Sequence, residues 1–81
     1  MEVDCRIALI GIIVSDGDAV EKVNAVLHEY AACIVGRMGL PMRERKVSAI
    51  TVVLDAPLNA INALTGKLGK VDGVSAKALF R

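Results

Sequence analysis

The stretch Ile34–Asp55 decides the fold, and it reads IVGRMGLPMRERKVSAITVVLD. It predicts two strands, Ile34–Met42 and Val47–Leu54, joined by a charged turn, Arg43-Glu44-Arg45-Lys46. The second strand is almost continuously apolar and rich in β-branched residues, whereas a strand with one solvated face alternates apolar and polar residues. We therefore expect this strand to lie in the middle of a sheet, with cover on both of its faces.

Two further strands flank this stretch in sequence. A first strand is predicted over Cys5–Val14, with mainly apolar residues on both faces, and it carries Gly11 in its interior, where glycine often marks a bulge or a close approach of another backbone. A last strand is predicted over Val74–Phe80. Its alternation of apolar and polar residues is typical of an edge strand with one wetter face.

Two helices connect these strands. The first follows the turn Ser15–Asp18, where Ser15 or Asp16 is the expected N-cap, and it extends to about Ala31. The second is expected to have Asp55 as its N-cap and Pro57 in its first turn, where a missing N–H does no harm. Gly69 is the expected end of the second helix.

The element order is strand, helix, strand, strand, helix, strand, which is the ferredoxin-like βαββαβ arrangement. We therefore predict an α+β domain with a four-stranded antiparallel sheet and two helices on one face. The usual strand order places the first and third strands centrally, and these are the two strands with apolar residues on both faces. The uncovered face, or an edge, is expected to be buried against a second copy, which gives a homo-oligomer, either a dimer or a tetramer.

Length, composition and charge narrow the class of protein. The 81 residues predict a single domain over 1–81, and 54% hydrophobic with only 2% aromatic residues suits a sheet covered by helices. A formal net charge of +1 gives no strong attraction to nucleic acid or to an anionic membrane. The longest apolar run, Ile7–Val14, is too short to cross a bilayer. The acidic start Met1–Asp4 lacks the basic region of a secretory signal, so we expect a cytoplasmic protein.

The residues that most often carry chemistry are few. Cys5 and Cys33 are expected to be reduced and buried, because cysteine is among the most buried residue types. A disulfide between them is not expected, since two strand spacings of ~9.5 Å separate them and a disulfide tolerates ~7 Å between Cα atoms. His28 is expected on the surface of the first helix. One alternative is a nucleophilic pair of Cys33 and His28, but no carboxylate that would orient the histidine is evident. The other alternative is a metal ion bound by these two residues between subunits. We predict no enzyme activity, no metal and no cofactor.

Two groups of basic residues are candidates for binding. Arg43, Arg45 and Lys46 form the one basic cluster, which is either a solvated turn or a site for an anion or an acidic partner. Arg37 lies inside a strand between Gly36 and Met38. It is predicted either to pair with a carboxylate across a subunit interface or to bind a ligand carboxylate there.

Five segments together resemble the bacterial family of iron-only hydrogenase system regulators. The resemblance covers nearly the whole chain. These segments are Ala8–Ile12, Gly36–Pro41, Arg43–Arg45, Val52–Pro57 and Leu64–Gly69. The family is similar in fold to ACT domains and to the C-terminal domain of nickel-responsive repressors. Leu68–Val74 also resembles the ACT pattern, in which a helix ends in a Gly-Val turn before the last strand.

The resemblance implies a regulatory role, with two departures. Nickel-responsive repressors bind DNA through an N-terminal ribbon-helix-helix, for which the first predicted strand leaves no room, and their nickel ligands include several histidines where this chain has only His28. ACT domains commonly hold small effectors between subunits near the first strand–helix turn. By resemblance, an effector site would be lined by Gly11, Ser15, Asp16 and Gly17.

Two functions remain open from the sequence. The preferred hypothesis is a small oligomeric ACT-like regulatory domain that senses an effector or binds another protein. The alternative is a transcriptional regulator that binds DNA directly, against which stand the near-neutral charge and the absence of a predicted DNA-reading helix.

Overall fold

The computed structural model describes residues 4–81 and has the predicted order of elements. Four strands and two helices form the fold: β1 Cys5–Val14, α1 Ala19–Glu29, β2 Ile34–Met42, β3 Val47–Pro57, α2 Leu58–Gly69 and β4 Val74–Phe80. Short 3₁₀ turns at Ala31–Cys33 and Arg43–Arg45 precede β2 and β3. The bounds of β1, β2 and β4 are those predicted from the sequence.

The sheet is antiparallel throughout, in the order β2-β3-β1-β4. The prediction that β1 and β3 occupy the centre is confirmed, and so is the ferredoxin-like α+β fold. β4 forms one edge and β2 the other. In the two central ladders Ile10 pairs with Val52 and with Ala78. Because directly opposite residues point to the same face of a sheet, this register assigns every strand position to one of two faces.

Both helices pack on one face of the sheet, here called the helix side. The core lies between the helices and the sheet, and its members are Ala8, Ile10, Ile12, Val14, Ala19, Val23, Leu27, Ile50, Val52, Leu54, Ala56, Ile61, Leu64 and Leu68. Each is at most 5% exposed. The strand members are alternate residues of β1 and β3, as the two-residue period of a strand requires. The helix members recur at the three- and four-residue spacings of an amphipathic helix.

The prediction that Asp55 caps the second helix is wrong. β3 continues to Pro57, because its ladder with β1 extends to the pair Cys5–Pro57 and includes Ile7–Asp55. Asp55 is therefore an exposed strand residue, and Pro57, with φ of −63°, is the residue that precedes the first turn of α2. The fixed φ of proline suits both its extended conformation here and the entry to a helix.

The first helix differs from prediction at both ends. It stops at Glu29 rather than near Ala31. At its start Asp18 is the cap residue and makes no side-chain capping bond. Instead the Asp16 carboxylate accepts a hydrogen bond from the Asp18 N–H (3.0 Å), while the Ser15 hydroxyl donates to the carbonyl of Gly73 (3.0 Å). The two predicted cap residues therefore shape the turn before the helix.

Gly73 is required by the way α2 connects to β4. Its φ is +80°, and a Cβ there would lie 2.8 Å from the Cβ of Asp16. Its carbonyl also accepts the N–H of Ser15 at 2.8 Å. Only glycine adopts this conformation readily, so Gly73 joins the end of β1 to the start of β4.

We expect Gly73→Ala to destabilise the fold by about 1–3 kcal/mol, since it combines backbone strain with a steric clash. Gly66→Ala is the matched control, because Gly66 lies in α2 and a Cβ there meets no atom within 4 Å. That change should instead stabilise the fold by about 0.5–1 kcal/mol. Urea denaturation of both variants measures the difference, and equal effects of the two substitutions would contradict this account of Gly73.

Both cysteines of the described chain are free thiols. Cys33 is half-buried beside the core, but Cys5 is exposed, so the prediction that both are buried is wrong for Cys5. The reason is its position at the start of β1, on the face opposite the helices.

Neither helix in residues 4–81 is long and apolar enough to span a lipid bilayer. The expectation of no secretory signal rests on the acidic segment 1–4. Residues 1–3 of that segment lie outside the described residues.

Candidate functional site

The face of the sheet opposite the helices carries a continuous apolar surface, here called the open face. The ladder register assigns it alternate residues of all four strands. These are Cys5, Ile7, Leu9, Gly11 and Ile13 of β1; Val47, Ala49, Thr51, Val53, Asp55 and Pro57 of β3; Gly36, Met38, Leu40 and Met42 of β2; and Ser75, Lys77 and Leu79 of β4. Apolar side chains therefore occupy adjacent positions on neighbouring strands.

The large side chains of the open face are strongly exposed. Leu9 is 42% exposed, Met38 59% and Leu79 72%, while strand residues on the helix side, such as Ile10, are fully buried. β1 and β3 were predicted to be covered on both faces. Within a single chain the helices cover one face, and the open face is exposed. Exposed apolar patches of this kind mark interaction surfaces.

Within one chain, the five residues predicted to bind an effector do not lie together. Gly11 lies in the middle of the open face, while Ser15, Asp16 and Gly17 form the turn beyond the end of β1. Arg37 pairs with Val52 and so lies on the helix side. There its guanidinium donates a hydrogen bond to Oδ1 of Asn24 on α1, at 2.9 Å.

The structure does bring one part of the predicted effector turn to the predicted basic cluster. Gly17, Arg43 and Lys46 line a common depression of about 370 Å³, here called the hairpin groove. Lys46 reaches it from a left-handed conformation, with φ of 54°, at the end of the β2–β3 turn. Arg45 is exposed but is not part of the lining. The other lining residues are Val14, Pro41, Met42, Val47 and Ser48.

His28 is exposed on α1, as predicted. It lines a smaller depression of about 230 Å³ with Asn24 and Arg37, and Cys33 is not among the lining residues. The structure therefore gives no support to the alternative of a Cys33–His28 pair. Within residues 4–81, no three His, Cys, Asp or Glu side chains cluster in a way that could hold a metal ion.

The sequence interpretation missed a depression at the edge of the sheet. It has a volume of about 690 Å³, and it lies where β1 extends past the end of β4. Arg6 and Arg81 line it together with apolar side chains that include Leu79 and Phe80. The sequence signal that could have predicted this depression is a basic residue near the end of each of two adjacent strands, Arg6 in β1 and Arg81 after β4.

Among the titratable groups of residues 4–81, one is clearly perturbed, and it lies outside these depressions. The Tyr30 side chain and the Glu29 carboxylate raise the pKa of Lys67 above its ordinary value. The Lys67 Nζ is 3.2 Å from Glu29 Oε1 and 5.2 Å from the centre of the Tyr30 ring. This contact joins α2 to the end of α1. Both charged groups are about half exposed, so its contribution to stability is small.

Comparison with known proteins gives the family. The chain matches over residues 6–78 the family described as "TM1266-like: Iron-only hydrogenase system regulator, putative". The chain therefore belongs to this TM1266-like family, and the resemblance inferred from the sequence is confirmed. The likeness to the C-terminal domain of nickel-responsive repressors stays a prediction.

Two solved structures are similar to the chain. The structure of the uncharacterized protein TM1266 from Thermotoga maritima is 35% identical, with a TM-score of 0.91, and the match covers 95% of this chain and 98% of that chain. The other is described as LarC2, the C-terminal domain of a cyclometallase involved in the synthesis of the NPN cofactor of lactate racemase, apo form. It is 17% identical with a TM-score of 0.48, over 96% of this chain and 56% of that chain. A search of the curated proteins finds no match.

Proposed function

We propose that this chain is a small regulatory module of an iron-only hydrogenase system that acts in the cytoplasm through protein association on its open face. The observation that carries this proposal is the apolar open face itself. Six of its large side chains, on three strands, are each about half exposed or more, and these are Ile7, Ile13, Met38, Leu40, Met42 and Leu79. The proposal assigns no catalytic residue.

Burial of the open face against another chain is energetically favourable. Full burial of one Leu, Ile or Met side chain contributes roughly 1.5–3 kcal/mol, so covering several that are half exposed supplies several kcal/mol. Few charges oppose burial of this face, because Asp55 and Lys77 are its only charged strand residues among those named above, and Arg81 follows β4 beside Ile7 and Leu79. We therefore propose that the working form is an assembly, a homo-oligomer or a complex with a partner protein.

The test is the mass of the unmodified chain in solution. We expect light scattering across micromolar concentrations to give a mass above that of one 8.5 kDa chain. If the purified chain stays monomeric, mixing it with the proteins of the hydrogenase system should give a complex of higher mass. A monomer that forms no such complex would contradict the proposal.

A second function, effector sensing, is supported by the hairpin groove. Arg43 and Lys46 supply two positive charges beside the apolar side chains of Pro41 and Met42. A small anion with an apolar part fits this combination, since guanidinium and ammonium groups bind carboxylates and phosphates through charge-assisted hydrogen bonds.

A thermal unfolding panel of amino acids, nucleotides and divalent metals tests effector sensing. A ligand present at 100 times its dissociation constant stabilises the folded state by about 2.7 kcal/mol. We expect anionic compounds to raise the melting temperature, and we expect Arg43→Ala to abolish that shift. Arg37→Ala is the matched control, because Arg37 does not line the hairpin groove, and it should keep the shift. A panel with no shift, or equal loss in both variants, would contradict this function.

Direct DNA binding is the rival proposal. The formal net charge of +1 gives it little electrostatic support, since DNA binding depends largely on the neutralisation of phosphates by Lys and Arg. A gel shift with the DNA upstream of its own gene distinguishes the two. Binding retained at physiological salt would favour DNA binding over protein association.

A further inference from the structure

We infer that the occupant of the open face is a second copy of this chain, related by a two-fold axis that passes near Leu9 and sets Lys77 of each copy against Asp55 of the other. The inference rests on the proposed function, because it names the partner for the surface described there. Two independent features of the open face support it, a glycine without a role inside the chain and the placement of two unpaired charges.

The glycine is Gly11, in the middle of the central strand β1. Its φ is not positive, and a Cβ added there would meet nothing within 4 Å. Neither the backbone nor the packing within one chain therefore requires glycine, although glycine inside a strand is destabilising by roughly 0.5–1 kcal/mol. Gly11 lies in a dent of about 380 Å³ that is also lined by the small residues Ala49 and Ser75 and bordered by Ile13, Thr51 and Lys77. A dent in a central strand is explained if another chain approaches closely at that point.

The charges are Lys77 and Asp55, both exposed. Lys77 pairs with Gly11 in the β1–β4 ladder, and Asp55 pairs with Ile7 in the β1–β3 ladder. Neither takes part in a salt bridge, since the one ion pair in residues 4–81 joins Lys67 and Glu29. The two charges therefore lie on opposite sides of β1, one level with Gly11 and the other level with Ile7.

Their placement is self-complementary. In an interface with two-fold symmetry, residue i of one copy contacts residue j of the other, and j contacts i. On a sheet with strands ~4.8 Å apart and ~3.3 Å per residue, the midpoint between Lys77 and Asp55 falls at Leu9. The two-fold axis that exchanges them lies in the plane of the interface, so the strands of the two sheets cross at roughly 70°, which is closer to the orthogonal than to the aligned class of sheet packing.

The same rotation positions apolar side chains favourably. Val53 of the second copy comes over the dent at Gly11, and Leu79 comes over Ile7 of the second copy. Ile13 and Leu40 lie at the margin of the overlap, so the buried area is modest. We therefore expect a weak dimer with a micromolar dissociation constant.

Charge reversal tests this arrangement. Asp55→Lys and Lys77→Asp each place like charges against one another in two symmetry-related pairs, so each variant alone should dimerise at least about tenfold more weakly than wild type. An equimolar mixture of the two variants should form a heterodimer, because every contact then joins opposite charges. The double variant, with both substitutions in one chain, should also dimerise. Sedimentation equilibrium measures the masses, and circular dichroism establishes that the variants are folded.

A second pair of measurements tests the role of Gly11. Gly11→Val should make the isolated chain at least as stable in urea, because valine favours strands, yet it should weaken dimerisation about tenfold or more by filling the dent. Unchanged dimerisation would overturn the inference. Ala25→Val, at an exposed position of α1, is the control and should leave dimerisation unchanged.

The failures of the two proposals are distinguishable. If wild type associates, and Leu9→Asp abolishes that association, but the mixed charge variants remain monomeric, then the open face associates in another arrangement and only this inference is overturned. If wild type is monomeric under all conditions, no second copy binds, and the inference is overturned. The proposed function then stands only if the hydrogenase-system proteins bind the chain.

Discussion

Leu9→Asp is expected to leave the chain folded and to abolish its association. Leu9 lies at the centre of the open face, between Val53 of β3 and Leu79 of β4, and is 42% exposed in the single chain. A carboxylate there costs little in the monomer, because water reaches it. In an assembly it would be buried without a partner, and an unpaired buried charge costs several kcal/mol. Light scattering at several concentrations should give the mass of a single chain.

Ala25→Asp is the control for this experiment. Ala25 is exposed on α1, away from the open face, so the same change of charge should leave the assembly intact. If Leu9→Asp associates as wild type does, then the open face is not the surface that associates.

Leu64→Ala should have the largest effect on stability. Leu64 lies in the middle of α2, is fully buried in the core and packs with Ile61 and Leu68 on the helix side. Truncation of a buried leucine to alanine costs about 2–5 kcal/mol, because burial is lost and a cavity remains. A domain of this size has a total stability of about 5–10 kcal/mol, so the variant should be close to unfolding at physiological temperature.

Urea denaturation with detection by circular dichroism measures this loss. Asn62→Ala is the matched control, since Asn62 is exposed on the same helix and its replacement should change the free energy of unfolding by less than about 0.5 kcal/mol. A cost below about 1 kcal/mol for Leu64→Ala would mean that α2 does not pack on the sheet as described.

The sequence predicted the strands well because their signals are local. β1 has apolar residues on both faces, and the charged turn Arg43–Lys46 separates β2 from β3, so the bounds followed from pattern alone. The failure at Asp55 has a long-range cause. Whether an Asp two residues before a proline caps a helix or continues a strand depends here on the ladder with Ile7, nearly fifty residues away, which no local pattern contains.

The candidate site was predicted only in pieces. Gly17 and the basic turn residues Arg43 and Lys46 were identified as separate candidates, and their meeting in the hairpin groove depends on how the β1–α1 turn and the β2–β3 turn fold to the same end of the sheet. Arg37 was assigned to an effector site or an interface, whereas its pairing with Val52 turns it toward Asn24 on the helix side. A shift of one residue in register would have reversed that direction.

The central claim is that the open face is covered in solution, and the accessibility of its methyl groups to a soluble paramagnetic probe tests this most directly. Ile61 supplies a buried reference and the exposed Ala25 on α1 supplies an accessible one. We predict that the methyl signals of Ile7, Leu9 and Leu79 broaden little more than those of Ile61 when the chain is at associating concentrations with its partner present. Broadening as strong as that of Ala25 would show that water reaches the open face, and would contradict the account.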